Sequence, residues 1–262
     1  MYKSLVLASL SLLWVGKAVA EDGSAREQFV QGMERVSQGN RYHDRARLME
    51  GRGILERAQL SNPEDALATY YLAYAEYELI RHGMITKDSG LYDRYVDIAV
   101  AHAQRVLRLR PEWSEGFALL ANIYGIQISH SWVKSATLGP EANALMQRAI
   151  ESDSTNPRAW LVNGIMKFNT PAFFGGSVEV ALANFTRALE LFEKPSQSEP
   201  LSPGWGHLET YAWLGRALEK NERPDEALAA FRKALEIDPE FVWVKRVLLP
   251  ALTKKLTQPS AQ

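Results

Sequence analysis

The feature of this sequence that most constrains its fold is an alternation of large and small residues between positions 211 and 239. The large residues are Tyr211, Leu214 and Phe231, and the small residues are Gly215, Ala227 and Ala234. They recur at helical spacings on either side of a break at Arg223 and Pro224. Because a small residue leaves room for a large one on a neighbouring helix, the pattern predicts two helices that pack closely.

This segment resembles a tetratricopeptide repeat (TPR). The first helix of that repeat carries a large residue, Leu and Gly, and the second carries Ala, an aromatic residue, Ala and Pro. Three earlier copies begin near Thr69, Phe117 and Trp160, and residues 25–60 look like one more degenerate helix pair. Every segment follows the 3.6-residue apolar period, and none alternates like a strand. The resemblance covers residues 42–239 and implies an all-α, right-handed superhelical solenoid with a concave binding surface.

The end of the chain predicts a cap for this solenoid. Residues 240–254 form an amphipathic pattern that carries Lys245, Arg246 and Lys254, and Lys255 follows directly. A helix of this kind covers the apolar face that the last repeat otherwise exposes. The solenoid is therefore expected over residues 21–256, and residues 257–262 are expected to form a disordered tail.

The earlier copies depart from the family pattern by insertions. The distance from the large first-helix residue to the second-helix alanine is 16 residues from Tyr211 to Ala227, 21 from Trp160 to Ala181, 25 from Phe117 to Ala142 and 30 from Thr69 to Ala99. The extra residues are expected in the turns between paired helices, along one edge of the solenoid, where insertions often build a binding face. A separate Pro/Ser-rich insertion, Lys194–Pro203, predicts a mobile loop between successive repeats.

The N-terminus has the pattern of a secretory signal peptide. Lys3 precedes the apolar run Leu5–Val15, and Ala18–Ala20 is a small-residue cleavage site. The run is shorter than the stretch of about 20 apolar residues that spans a bilayer as a helix. We expect cleavage after Ala20 and a periplasmic protein, the alternative being a retained anchor. No later segment is apolar enough to span a membrane.

Composition excludes several classes of function. The chain has no cysteine, so it has no disulfide, no thiolate nucleophile and no acylated lipoprotein cysteine. Its formal net charge is −1, without basic or acidic blocks, so nothing favours nucleic acid as a partner. None of the five histidines has a metal-ligand spacing, and His130, which opens an insertion, is better explained as a capping or surface residue. We therefore predict no enzyme, no cofactor and no metal.

The insertion in the third copy contains the sharpest local motif, Phe173-Phe174-Gly175-Gly176-Ser177. The glycines allow a turn with positive φ, and Ser177 can cap the next helix, whose N-terminus could hold an anion. The run lacks the Lys-Ser/Thr of a phosphate-binding loop. The alternative interpretation is that Phe173 and Phe174 fill the seam between repeats.

The run Thr170–Gly176 is also similar to one in exported bacterial TPR proteins that resemble the T components of tripartite substrate-binding transport systems. This second resemblance implies an accessory role in solute transport. The missing lipoprotein cysteine departs from it and puts membrane tethering in doubt.

Fixed first-helix positions line the concave surface of TPR proteins. The resemblance places there, together with the aromatic pair of the insertion, the candidate binding residues Tyr70, Tyr74, Tyr77, Asn122, Ile126, Phe168, Asn169, Phe173, Phe174 and Arg216. The three tyrosines lie at i, i+4 and i+7, so they form one stripe on a helix, suited to a peptide or an amphipathic ligand. The alternative is that the stripe packs against a neighbouring helix.

These patterns predict an exported, non-catalytic scaffold that holds a protein segment in its concave groove. The alternative is an accessory component of periplasmic solute transport that binds a small apolar or anionic ligand. The sequence leaves a homo-oligomer open.

Overall fold

The computed structural model describes residues 26–194 and 201–257, and within these ranges every regular element is helical. The helices are α1 (26–42), α2 (Arg45–Ser61), α3 (Ala66–Thr86), α4 (Ser89–Leu109), α5 (Ser114–His130), α6 (Trp132–Ser152), α7 (Pro157–Asn169), α8 (Val178–Phe192), α9 (His207–Lys220), α10 (Pro224–Ile237) and α11 (Leu249–Thr257). A 3₁₀ turn, Ala172–Phe174, lies between α7 and α8, and a π-helical segment, Trp243–Leu248, leads into α11. The expected signal peptide and most of the expected tail lie outside the described residues.

Consecutive helices pack as five pairs, and the helical segment after α10 packs on the last pair as a cap. The pairs are α1–α2, α3–α4, α5–α6, α7–α8 and α9–α10. The first helices of neighbouring pairs also contact one another, as α5 does α7. The predicted all-α solenoid of helix pairs is confirmed.

Local sequence signals set the ends of the helices. Side-chain oxygens accept hydrogen bonds from first-turn backbone N–H groups at Asp44, Asp65, Asp88, Asn156 and Ser177. Prolines stand two residues beyond the ends of α2, α4 and α10, at Pro63, Pro111 and Pro239. Within pairs, Gly164 and Gly215 lie so close to the rings of Phe185 and Phe231 that a Cβ would be 2.5 Å and 2.3 Å from them. The large-and-small pattern thus does what the sequence predicts.

The insertions take a different form from the one expected in the first two copies. The α3 and α4 helices have 21 residues each and are joined by Lys87 and Asp88 alone, and only Ser131 separates α5 from α6. The extra residues are therefore added helical turns rather than loops. The chain can reverse in two residues because Lys87 adopts a left-handed conformation (φ 61°) and Asp88 caps α4. Only in the third copy does the insertion lie outside the α-helices, at residues 170–177, which include the 3₁₀ turn.

Two contacts join the N-terminal helices of the solenoid to its C-terminal end. Arg41, at the end of α1, forms an ion pair with Asp238 at the end of α10, with 2.6 Å between Nη2 and Oδ1. Arg81 of α3 lies over the ring of Trp243 in the cap, 5.9 Å from its centroid. The first pair and the C-terminal end are thus in contact, which the repeat pattern does not predict. None of the helices in the described ranges has the length and hydropathy required to cross a bilayer.

Candidate functional site

The three predicted groove tyrosines lie on one face of α3 and are buried. Tyr70, Tyr74 and Tyr77 have 0%, 4% and 7% of their surface exposed. Burial raises the pKa of all three hydroxyl groups. They face the concave side, but they do not line an open groove.

The covering segment is Leu201–Trp205, which we call the strap. The Tyr71 hydroxyl shares its proton between two carbonyl oxygens, that of Leu201 at 3.3 Å and that of Ser202 at 3.1 Å. The Trp205 indole N–H donates to the Tyr70 hydroxyl at 2.8 Å, and its ring stacks on Tyr74 with 5.3 Å between centroids. The prediction of a mobile loop is therefore wrong for residues 201–203, which lie in a segment held by these contacts. Residues 195–200 of the same prediction lie outside the described ranges.

A buried ion pair lies beneath the strap. The Arg158 guanidinium of α7 donates to the Glu115 carboxylate of α5, with 2.7 Å between Nε and Oε1, and both side chains are 9% exposed. Arg158 also donates to the Trp205 carbonyl oxygen at 3.3 Å. Burial alone would lower the pKa of Arg158, but the charge and hydrogen bond of Glu115, together with Tyr70 and Tyr71, outweigh burial and raise that pKa. The pair thus anchors the strap from the floor of the groove.

Polar side chains connect α1, α3 and α9 near the strap. Arg81 binds the Glu78 carboxylate at 3.0 Å and donates to the Asn40 side-chain oxygen at 3.0 Å. Asn40 in turn donates to Glu209 at 3.0 Å. Glu209 also accepts from the backbone N–H of Gly206, which follows the strap. Together with the strap, this chain of hydrogen bonds fills the N-terminal half of the concave surface, which we define by Tyr70, Tyr74 and Tyr77.

The C-terminal half of the concave surface, which we define by Phe168, Trp213, Arg216 and Lys220, is chemically different. The Arg216 guanidinium lies over the rings of Trp213 and Phe168, at 4.3 Å and 5.1 Å from their centroids, and the Lys220 ammonium lies 4.8 Å from that of Phe168. No carboxylate of the described residues forms an ion pair with Arg216; Glu219, whose charge acts on it, is paired with Lys255. Burial lowers the pKa of Arg216. This half therefore holds two cations, Arg216 and Lys220, that form no ion pair among the described residues.

The other predicted concave residues are divided between interior and surface. Asn122 and Ile126 of α5 are buried, so neither is available to a partner in this conformation. Asn169 is exposed and donates to the carbonyl oxygen of Ile165 at 2.9 Å, which stabilises the end of α7. The sequence thus predicted more open concave surface than the fold has.

The aromatic pair of the insertion is exposed to solvent. Phe173 and Phe174 are 91% and 73% exposed and contact each other edge to face, with 5.2 Å between centroids. The interpretation that they fill the seam between repeats is therefore wrong. The predicted positive φ is found at Gly175 (84°), and a Cβ on Gly176 would lie 1.7 Å from the Thr170 carbonyl oxygen, so only glycine fits there.

This turn is fixed to the helices on both sides. Ser177 donates its backbone N–H to the Lys167 carbonyl oxygen at 3.0 Å, and its hydroxyl accepts from the N–H of Val180, which confirms the predicted cap. The Lys167 ammonium donates to the Gly175 carbonyl oxygen at 3.3 Å, and that of Lys220 to the Phe168 carbonyl oxygen at 3.4 Å. The exposed rings and the C-terminal half of the concave surface therefore meet at the end of α7. We call the residues Phe173, Phe174, Arg216 and Lys220 together the α7 surface.

Sequence reasoning missed the strap and its anchor. A signal for the strap was present, because Trp205 follows a proline and a glycine in an otherwise Pro/Ser-rich connection. For metals the prediction stays a prediction: the described residues contain no group of three His, Asp or Glu side chains placed to hold an ion. His130 stacks on Tyr92, with 3.9 Å between centroids.

Comparison with known proteins defines the class. The family model of the tetratricopeptide repeat matches residues 208–241. A thermophilic TPR protein from Thermus thermophilus superposes with a TM-score of 0.61 at 21% identity, over 85% of this chain and 99% of that one. The HusA haemophore from Porphyromonas gingivalis superposes with a TM-score of 0.60 at 19% identity, over 72% and 92%. No curated protein sequence matches this chain.

At these identities the solved structures show the fold, and the family model shows the repeat. The chain therefore contains a tetratricopeptide repeat at residues 208–241, and its helical-repeat fold is that of the TPR protein on which it superposes. Proteins of this class generally serve as non-catalytic scaffolds for protein interactions.

Proposed function

We propose that this protein is a non-catalytic binding protein that holds a segment of a partner protein on the α7 surface. The observation that carries the proposal is the pair of exposed rings, Phe173 and Phe174, on a turn fixed to α7. Leaving a phenyl side chain in water rather than burying it is unfavourable by about 1.5–3 kcal/mol, so two adjacent exposed rings provide a strong driving force for association.

The charges beside the rings define the partner's chemistry. Arg216 and Lys220 lie at aromatic rings and form no ion pair within the described part of the chain. A partner that brings a carboxylate to them gains charge-assisted hydrogen bonds without breaking an existing ion pair. The partner segment is therefore apolar with at least one acidic side chain.

The test compares a tagged wild-type protein with two variants in its own organism, using crosslinking and mass spectrometry. Phe173→Ser combined with Phe174→Ser should abolish the crosslink to a specific partner, and Arg216→Glu should weaken it. Matched controls are Leu60→Ser, a residue 68% exposed near the connection between the first two pairs, and Arg232→Glu, an exposed arginine on α10. Both controls should crosslink like the wild type.

Equal crosslinking by the aromatic double variant and by Leu60→Ser would refute the α7 surface as the binding site. If the crosslinked protein is a second copy of this chain, the surface is an interface between copies, and the proposal of a distinct partner fails.

The proposal includes export to the periplasm. It rests on the signal-peptide pattern of residues 1–20. Expression of the full chain in a Gram-negative host should give a periplasmic protein whose N-terminal residue is Glu21, as measured by intact mass. A full-length product in the membrane fraction would instead support a retained anchor.

A second candidate function is an accessory role in solute transport, as the Thr170–Gly176 resemblance implies. The observation that favours it is Arg216, a largely buried cation between two aromatic rings that forms no ion pair among the described residues and so also suits a small anionic ligand. Native mass spectrometry of the protein purified from its own cell envelope separates the two. A small mass adduct that Arg216→Ala abolishes supports the transport role, whereas a complex with another polypeptide supports the scaffold.

A further inference from the structure

The connection that contains the strap is longer than the fold requires. Residues 193–206 join α8 to α9, a distance of fourteen residues, whereas four residues suffice between the earlier pairs, at 62–65, 110–113 and 153–156. The strap is therefore not needed to link the two helices. It could leave the groove without unwinding α8 or α9.

The groove contacts the strap as a binding groove contacts a peptide. Two side chains hold the strap by its carbonyl oxygens: the Tyr71 hydroxyl shares its one proton between those of Leu201 and Ser202, and Arg158 donates to that of Trp205. Contacts to main-chain carbonyls hold an extended segment whatever its sequence, and a pocket for one side chain then provides specificity.

That pocket is occupied by Trp205. Its ring lies nearly parallel to Tyr74, at an interplanar angle of 16°, and its indole N–H donates to the Tyr70 hydroxyl. Tyr70 is fully buried and lies 3.5 Å from a Glu115 oxygen. The pocket thus recognises both the flat ring and the N–H group, a combination that phenylalanine and tyrosine do not offer.

The strap does not adopt a relaxed backbone. Leu201 has φ 69°, in the left-handed region that residues with a Cβ rarely occupy. A segment in trans that lacks this constraint can make the same contacts without the strain. The groove is therefore filled by a segment that a better-fitting one can displace.

We infer that the N-terminal half of the concave surface is a second binding site, specific for an extended partner segment with a tryptophan two residues after a proline. The strap occupies this site in cis and competes with that segment. The site uses none of the residues of the α7 surface, so this inference and the proposed function stand or fall separately.

The test uses a fluorescently labelled, capped peptide with the sequence of residues 201–205, Leu-Ser-Pro-Gly-Trp, and a Trp205→Ala variant with an empty tryptophan pocket. In the wild type the peptide can bind only those grooves that the strap has left, so its apparent affinity is the intrinsic affinity multiplied by the fraction of open grooves. The peptide should therefore bind the variant at least about tenfold more tightly than the wild type. The same peptide with alanine in place of tryptophan should bind neither protein. The control variant Trp160→Ala, which alters a tryptophan outside the groove, should bind the peptide as the wild type does.

Helical circular dichroism and cooperative unfolding establish that each variant is folded. If Trp205→Ala does not fold, Trp205→Leu serves in its place, since leucine keeps apolar volume but neither stacks on Tyr74 nor donates to Tyr70. Equal affinity of wild type and folded variant for the peptide, or no binding to the folded variant, overturns the inference. Phe173→Ser with Phe174→Ser should leave peptide affinity for the Trp205→Ala background unchanged.

Discussion

Equivalent first-helix positions are covered in one half of the concave surface and accessible in the other. In the N-terminal half, Tyr70 and Tyr74 are buried under the strap, above a paired arginine. In the C-terminal half, Arg216 forms no ion pair among the described residues, and Phe173 and Phe174, in the insertion after α7, project into solvent. Position in a repeat therefore identifies the concave side, whereas long-range contacts decide whether that side is accessible.

Substitution of one arginine in each half tests this contrast, and the variant in the N-terminal half should show the largest loss of stability. Arg158→Ala leaves the Glu115 carboxylate buried without a partner and should lower the free energy of unfolding by about 3–5 kcal/mol. Arg216→Ala removes only contacts with ring faces and should cost at most about 1 kcal/mol. Urea denaturation followed by circular dichroism measures both. Similar losses for the two variants would show that the halves do not differ in this way.

Removal of the strap's aromatic anchor should have the next largest effect. Trp205→Ala deletes the ring stacked on Tyr74 and should lower the free energy of unfolding by about 2 kcal/mol, less than for a fully buried tryptophan because Trp205 is half-buried. The same urea titration measures the change. A loss below that of the exposed-surface control Leu60→Ser would mean that the strap is not held in the groove in solution.

Acid should weaken the closed end of the solenoid. Burial, together with the charges of Arg81 and His82, lowers the pKa of His43 to about 4 from an ordinary value of 6.5. Between these two values the unfolded chain binds the proton and the folded chain does not, so stability falls as the pH falls from about 6.5 to about 4. His82 and His207 also have lowered pKa values and act in the same direction.

The size of this acid effect should be modest. Burial raises the pKa of the neighbouring Glu78 carboxyl, which opposes the histidines as the pH falls. Because His43 is partly exposed to solvent, its own share between pH 7.5 and 4.5 should be about 1 kcal/mol. His43→Asn, which suits the left-handed backbone at this position (φ 51°), should reduce the pH dependence of the urea midpoint by that share. An unchanged pH dependence in the variant would contradict the assignment to His43.

The exposed turn should contribute least to stability. Phe173→Ser with Phe174→Ser should change the free energy of unfolding by no more than about 0.5 kcal/mol, because neither ring packs on the core. Phe185→Ser, which opens a cavity against Gly164, provides the contrast and should cost about 3 kcal/mol or more. A large loss in the turn variant would indicate that the rings are buried in solution.

Local patterns predicted much of the fold. The spacing of Tyr211, Gly215 and Phe231 identified the last pair, and Gly164 packs against Phe185 in the same way one pair earlier. The cap at Ser177 could be predicted because the contact lies within three residues. Such features follow from the sequence because the interacting residues share one helix or one pair.

The candidate site was less predictable because its defining contacts join distant parts of the chain. Trp205 and Tyr70 are 135 residues apart, and Arg41 and Asp238 are 197 apart. No repeat pattern relates these positions, so the burial of the groove tyrosines could not be read from their spacing. The exposure of Phe173 depends likewise on the turn at Gly175 and Gly176, whose direction the sequence leaves open.

Hydroxyl-radical footprinting measures the contrast between the two halves residue by residue, because it reports the solvent access of individual side chains. With rates normalised to those of the unfolded chain, we predict strong protection of Tyr70, Tyr74 and Tyr77 and almost none of Phe173 and Phe174. In Trp205→Ala, protection should fall at Tyr70 and Tyr74 while Phe173 and Phe174 stay unchanged. Tyrosines as reactive as Phe173 in the wild-type protein would show an open groove and contradict the covered site described above.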